Sequence, residues 1–172
     1  MNDRFKWIAD WTEPKFFSER LVEPYRLRKP SKIFVGSMCD LFGSWVDRNW
    51  IGWIIKVVAD NPDHKFMFLT KNPTGYMNTY FPKNCLLGLT LTGQESAKDS
   101  LLNDFMMNNV ANYKFLSIEP LLGSFRGVSL TAINLVIVGA MTGRNAVEPE
   151  KDWIKSIKHP NIHYKQNIKK YL

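Results

Sequence analysis

The chain has 172 residues, 45% of them hydrophobic and 23% charged; this suits one globular domain with a real core and excludes a disordered chain. The formal charge of +7 permits binding to phosphate or nucleic acid without demonstrating it. Two cysteines, Cys39 and Cys85, exclude a disulfide scaffold, and no apolar run approaches the roughly 18–20 residues of a membrane helix.

Residues 1–30 read as a lead-in that packs through Trp7, Trp11, Phe16 and Phe17. Residues 32–36, Lys-Ile-Phe-Val-Gly behind Pro30, are a short apolar run and read as a buried strand. From Asp47 to Ala59, Trp50, Ile51, Ile54, Ile55 and Val58 recur at three- and four-residue spacing, the mark of one helix face. Asn61-Pro62-Asp63 ends that helix. The alternation then repeats. Strands are expected at Lys65–Thr70, Cys85–Thr90, Tyr113–Ile118, Leu135–Gly139 and Ile162–Lys165. Helices are expected around Thr74–Tyr80, Ser96–Asn108 and Pro149–Lys158, and 167–172 form a basic tail.

Strands separated by helices or long connections pair in parallel through crossovers, and nearly all-apolar strands are covered on both faces. The expected architecture is one α/β domain, a partial (βα) barrel of about six parallel strands. An open doubly wound sheet is the alternative. The opening Met1-Asn2-Asp3-Arg4 has no apolar stretch of signal-peptide type, so the expected compartment is the cytoplasm.

In either architecture ligands bind at the C-terminal ends of the strands. Those ends collect Ser37 and Asp40, then Thr70 and Lys71, then Thr90 and Thr92, then Ser117 and Glu119, then Gly139 and Thr142, and last Lys165 and Gln166. Ser37 and Thr92 also suit plain caps or turns. Glu119 is different: a carboxylate between an apolar strand and Pro120 is held near the core and needs a partner. Glu119, Lys71 and Asp40 are the candidate catalytic residues, and mutual ion pairing among Glu119, Asp40, Lys71 and Lys165 is the competing structural explanation. The other rim residues are candidate ligand-binding positions, and no metal site is expected.

The sharp motifs are absent: no G-x-G-x-x-G, no G-x-x-x-x-G-K-[ST] and no G-x-S-x-G. His64 precedes a strand, His159 sits in a turn and His163 lies inside a strand, so none stands in a triad-like place. The basic residues fall in two clusters, Arg20 to Lys32 and Lys151 to Lys170. They lead us to expect weak, salt-sensitive binding of nucleic acid.

Several long words in order carry a family resemblance. They are Lys29-Pro30-Ser31-Lys32-Ile33-Phe34-Val35-Gly36-Ser37-Met38-Cys39-Asp40-Leu41-Phe42, Phe68-Leu69-Thr70-Lys71-Asn72-Pro73, Leu87-Gly88-Leu89-Thr90-Leu91-Thr92, Phe115-Leu116-Ser117-Ile118-Glu119-Pro120-Leu121-Leu122-Gly123 and Tyr164-Lys165-Gln166. Over about residues 11–166 the chain resembles the phage-associated three-cysteine-motif proteins, which are similar to radical S-adenosylmethionine proteins. The resemblance implies a partial βα barrel, an N-terminal group of cysteines holding an iron–sulfur cluster, and S-adenosylmethionine as cofactor.

This sequence departs from that pattern twice. Residues 1–10, where the cysteine segment belongs, contain no cysteine, and the word "G-G-E-[ST]-G" after the fifth strand reads Gly139-Ala140-Met141-Thr142-Gly143. The first departure removes cluster ligands; the second removes a carboxylate. The expectation is therefore a truncated or degenerate member that needs no cofactor as it stands, with a polar ligand site at the strand ends. The alternatives are a cluster-free nucleotide- or nucleic-acid-binding protein and a non-catalytic partner-binding pseudoenzyme. If a strand ahead of Ile33–Gly36 is missing, that edge is open to self-association unless the lead-in covers it.

Overall fold

A computed structural model describes residues 14–77, 79–107 and 111–172. Six strands form one sheet: β1 (Lys32–Phe34), β2 (Lys65–Thr70), β3 (Cys85–Thr90), β4 (Tyr113–Ile118), β5 (Leu135–Val138) and β6 (Ile162–Tyr164). Their order across the sheet is their order along the chain, and every neighbouring pair is parallel. The sheet curls into a half-barrel. Sequential order excludes the doubly wound alternative, which needs a point where the winding reverses. Right-handed crossovers that always step the same way put every helix on one face.

Three helices follow strands: α1 (Arg48–Asp60) after β1, α2 (Lys98–Met107) after β3 and α3 (Lys151–Ser156) after β5. Asp47 starts α1 by accepting the Asn49 N–H at 2.8 Å, which satisfies one orphan donor of the first turn. Ile51, Val57 and Val58 face the sheet. The helix expected at 74–80 is a 3-10 turn over Pro73–Tyr76 instead. Gly75 weakens a helix there and Tyr76 is drawn into the core, where its hydroxyl donates to the Gly88 carbonyl at 2.8 Å. The position expected to end the second helix, Asn108, lies outside the described residues. α3 stops at Ser156, short of the expected Lys158, because Ile157 turns extended, at φ −78° and ψ 111°, and is buried.

Register tells the two faces apart. Phe66, Phe68, Cys85, Leu87, Leu89, Leu116, Ile118, Val136 and Val138 alternate onto the helix-covered face, and all are fully buried. This face and the helices make the core, whose centre is the ring cluster of Phe42, Phe68, Tyr76 and Phe81. The inner, concave face carries rows read directly from the pairing. Phe34, Met67, Leu86 and Tyr113 form one row. Leu69, Gly88, Phe115 and Leu135 form the next. Much of the inner face is only partly covered: Met67, Leu69, Leu86, Leu135 and Ile137 are half-buried, and Phe34 and Tyr113 are exposed. A closed barrel would bury these residues against opposite strands; the half-barrel leaves them lining an open basin.

The lead-in packs against α1. Phe16 stacks on Trp50 at 5.4 Å and tilts against Trp53 at 5.3 Å. Tyr25 donates to Asp60 at 2.8 Å. Buried His64 accepts the Ser31 N–H at Nδ1 and faces the Pro24 carbonyl through Nε2. Trp7 and Trp11 lie outside the described residues. The β1 edge is only three residues long and carries Pro30 just before it and Lys32 within it, features that blunt an edge against further pairing.

Candidate active site at the strand ends

Continuing the inner-face alternation upward leads into the rim. Thr90, Ser117, Ile137 and His163 form the third row. Two residues further along each strand stand Thr92, Glu119, Gly139 and Lys165. The period of two thus delivers Thr90, Thr92, Ser117, Glu119, Gly139 and Lys165, six of the sequence candidates, to one concave surface. Ser117 and Thr90 are nearly buried, at 5% and 9% exposure.

The top row is built around an ion pair. Lys165 donates to both carboxylate oxygens of Glu119 at 2.6 Å, reaching from β6 across β5 to β4. Gly139 on the intervening strand makes this reach feasible, since a β-carbon there would lie 2.8 Å from Glu119 Oε1. The side chains are 32% (Glu119) and 45% (Lys165) exposed, so neither is committed to the interior. Asn167 closes the far side by donating to the Ala140 carbonyl at 2.7 Å.

A second knot joins β1 to β2. Asp40 Oδ1 accepts the Thr70 hydroxyl at 2.6 Å and the Phe42 N–H at 3.2 Å, while Oδ2 accepts the Lys71 N–H at 2.8 Å. Both oxygens are thereby used to hold the loop after β1. The Lys71 side chain is exposed and has no hydrogen-bonding or ionic partner among the described residues. Asn72 completes the knot by donating to the Phe42 carbonyl at 2.8 Å.

The third knot follows β3 and went unnoticed in the sequence. Glu95 accepts the Thr92 N–H, the Thr92 hydroxyl and the Gly93 N–H, at 2.7, 2.8 and 2.9 Å. Burial pushes its carboxyl pKa up, but these hydrogen bonds outweigh that and hold it below the ordinary value. Thr92 is thereby occupied within its own loop, as a turn residue. Ser37 and Thr142 are exposed on their loops, and Gln166 is exposed at the start of a 3-10 turn over Gln166–Tyr171.

The residues present do not fit an iron–sulfur cluster. Cys39 lies in the rim loop after β1, whereas Cys85 begins β3 at the opposite end of the sheet and is fully buried. A six-residue strand spans about 20 Å, so the two thiols cannot share a cluster. Burial pushes the Cys85 thiol to about 12, far from a ready thiolate. Among the described residues no group of three or more His, Cys, Asp or Glu side chains is placed to hold a metal ion.

Two solvent-open clefts lie away from the rim. One, of about 470 Å³, sits at the N-terminal ends of β3 and β4 beside Lys83, Asn112, Lys114 and Asn134. The other, of about 340 Å³, lies beside α3.

A family model matches residues 2–167, almost the whole described fold. The chain belongs to the family described as protein of unknown function (DUF5131). No curated protein and no solved structure matches it. The match spans every strand of the half-barrel and all three rim knots, so the site of this DUF5131 chain belongs to the family's own domain. No described helix is long and apolar enough to cross a membrane.

Proposed function

We propose that this DUF5131 chain binds a small zwitterionic ligand in the concave basin, with its charged end at Glu119 and Lys165. The observation that carries this reading is the Glu119–Lys165 pair itself. It crosses three strands, it is partly exposed, and it stands directly above the half-buried apolar Ile137 and Leu135. A concave surface with an apolar floor and a few convergent polar groups is the usual form of a small-molecule site. An amino group takes the place of the Lys165 ammonium at Glu119, and a carboxylate or phosphate takes the place of Glu119 at Lys165. Ser117 and Thr90, one row below, offer hydroxyls.

The resemblance to phage-associated, radical-SAM-like proteins supports a particular ligand, S-adenosylmethionine, which joins an α-amino acid to a nucleoside. Its amino acid matches the ion pair and its adenosine suits the apolar floor. Because the two cysteines do not fit a cluster, we derive no radical step, and the proposed activity of this chain is binding. The test is thermal shift and calorimetric titration with S-adenosylmethionine, S-adenosylhomocysteine, methionine and adenosine. Binding of the intact zwitterionic nucleosides, lost in Glu119→Gln and Lys165→Met, supports the reading. Binding that survives both substitutions, or no binding by any of the four compounds, overturns it.

A further inference from the structure

We propose that the cleft between the β4–β5 connection and α3 docks the phosphate backbone of a nucleic acid, independently of the rim site. Arg126, Lys155 and Lys158 all line this opening of about 340 Å³, together with Gly127, Asp152 and Ser156. The three cations come from two segments about thirty residues apart, and the fold pins those segments together. The Phe125 N–H donates to Ser156 Oγ at 2.8 Å, and Ser156 in turn donates to the Trp153 carbonyl at 2.6 Å. The basic residues are therefore held in one place by a partly buried hydrogen-bond chain.

None of the three has a hydrogen-bonding or ionic partner for its side chain among the described residues. Asp152 lines the same cleft, yet it forms no ion pair with them. Three cations against one carboxylate leave the opening net positive, and an incoming anion is attracted to that excess. Gly127, exposed and at φ +80°, places no side chain over the opening. Elsewhere in the C-terminal basic cluster Lys165 is engaged by Glu119, and Lys170 rests over the Tyr171 ring at 4.6 Å.

Exposure decides the kind of anion. Arg126, Lys155 and Lys158 are all solvent-exposed, so each contact with one free phosphate is made in high dielectric and gains little. A nucleic acid adds the entropy of released counterions at every neutralised phosphate. The overall charge of +7 favours the same partner.

The experiment is fluorescence anisotropy of the full chain with labelled 20-mer duplex and single-stranded DNA across a salt series, with inorganic phosphate as competitor. The expected dissociation constant is about 10⁻⁴–10⁻⁶ M near physiological salt, tightening steeply as salt falls. The triple variants Arg126→Glu/Lys155→Glu/Lys158→Glu and Arg126→Gln/Lys155→Gln/Lys158→Gln should lose at least about tenfold and flatten the salt slope by two to three units, at about 0.9 per phosphate contact on duplex DNA. A matched triple, Arg28→Glu/Lys29→Glu/Lys32→Glu, makes the same change in net charge away from the cleft and should lose severalfold less affinity than the cleft triple, because screening weakens charges that do not meet the phosphates directly. Equal losses in the cleft and matched triples overturn the proposal, as does the absence of binding at low salt. Competition by inorganic phosphate at micromolar concentration overturns it in favour of a free-phosphate site. Loss of S-adenosylmethionine binding plays no part in the readout, so this proposal and the rim proposal fail separately.

Discussion

Gly93 and Gly123 stand back to back, each in the space that the other's β-carbon would need. A β-carbon on Gly93 would lie 2.5 Å from the Gly123 carbonyl oxygen, and one on Gly123 would lie 2.4 Å from the Gly93 carbonyl oxygen. The Leu122 N–H donates to the Thr92 carbonyl at 2.8 Å beside them. The loops after β3 and β4 are thus held together backbone to backbone.

Alanine at either glycine should force these loops apart. Gly93 also has φ +92°, so Gly93→Ala adds backbone strain to the clash and should cost about 2–4 kcal/mol, against about 1–3 kcal/mol for Gly123→Ala. Urea unfolding at constant m-value measures both. Wild-type stability in either variant would show that the loops can part freely.

Gly139→Ala should behave differently. Its β-carbon meets the end of a flexible carboxylate and not backbone, so the fold should lose no more than about 1 kcal/mol while Glu119 swings off Lys165. Because partly exposed ion pairs contribute about 0–1 kcal/mol, Glu119→Gln and Lys165→Met should also melt near the parent. Ligand titration, not stability, should separate these variants from wild type. A large stability loss in Glu119→Gln would mark the pair as architectural.

Glu95 should shape the acid limb of stability. Its folded pKa lies below the ordinary 4.5 despite burial, because Thr92 and Gly93 donate to the ionised form. A depressed carboxyl contributes stability that is complete above its unfolded pKa and fades as pH falls through the folded one. Denaturation midpoints measured from pH 7 down to pH 2 should therefore fall less steeply below pH 4.5 in Glu95→Gln than in the parent. Parallel curves would dismiss the lock.

The Asp40 knot should show as coupling. Asp40→Ala leaves the Lys71 N–H and the Thr70 hydroxyl without their acceptor and should cost about 1–3 kcal/mol. Thr70→Val removes the shared bond, so the double variant should cost measurably less than the sum of the two singles. Strict additivity in a double-mutant cycle would mean that the 2.6 Å bond contributes nothing in solution.

The strands were legible because each is a short apolar run between turn residues, and Lys65–Thr70, Cys85–Thr90 and Tyr113–Ile118 match the expectation residue for residue. The rim was legible for the same reason, since a parallel sheet puts its strand ends on one side and alternation selects the inward residues. Glu95 was not legible. It follows β3 in a loop with no periodic pattern, and its partners are backbone N–H groups that any residue supplies. Asn84 and Asn167 escaped for a related reason: each bonds carbonyls on other elements, and sequence spacing carries no trace of that. The 3-10 turn at Pro73–Tyr76 was misread as a helix because the burial of Tyr76 is a tertiary event.

Sequential strand order also bears on how the chain acquires its shape. Each strand from β2 to β6 finds its first partner in the strand synthesised just before it. Such neighbour-only pairing keeps loop-closure entropy small at every step. A chain emerging N-terminus first at about 5–20 residues per second can therefore add each βα unit to a growing sheet, with no strand waiting for a distant mate. The half-barrel is suited to vectorial assembly on the ribosome, where the apolar edge at any moment is the one that the next unit covers.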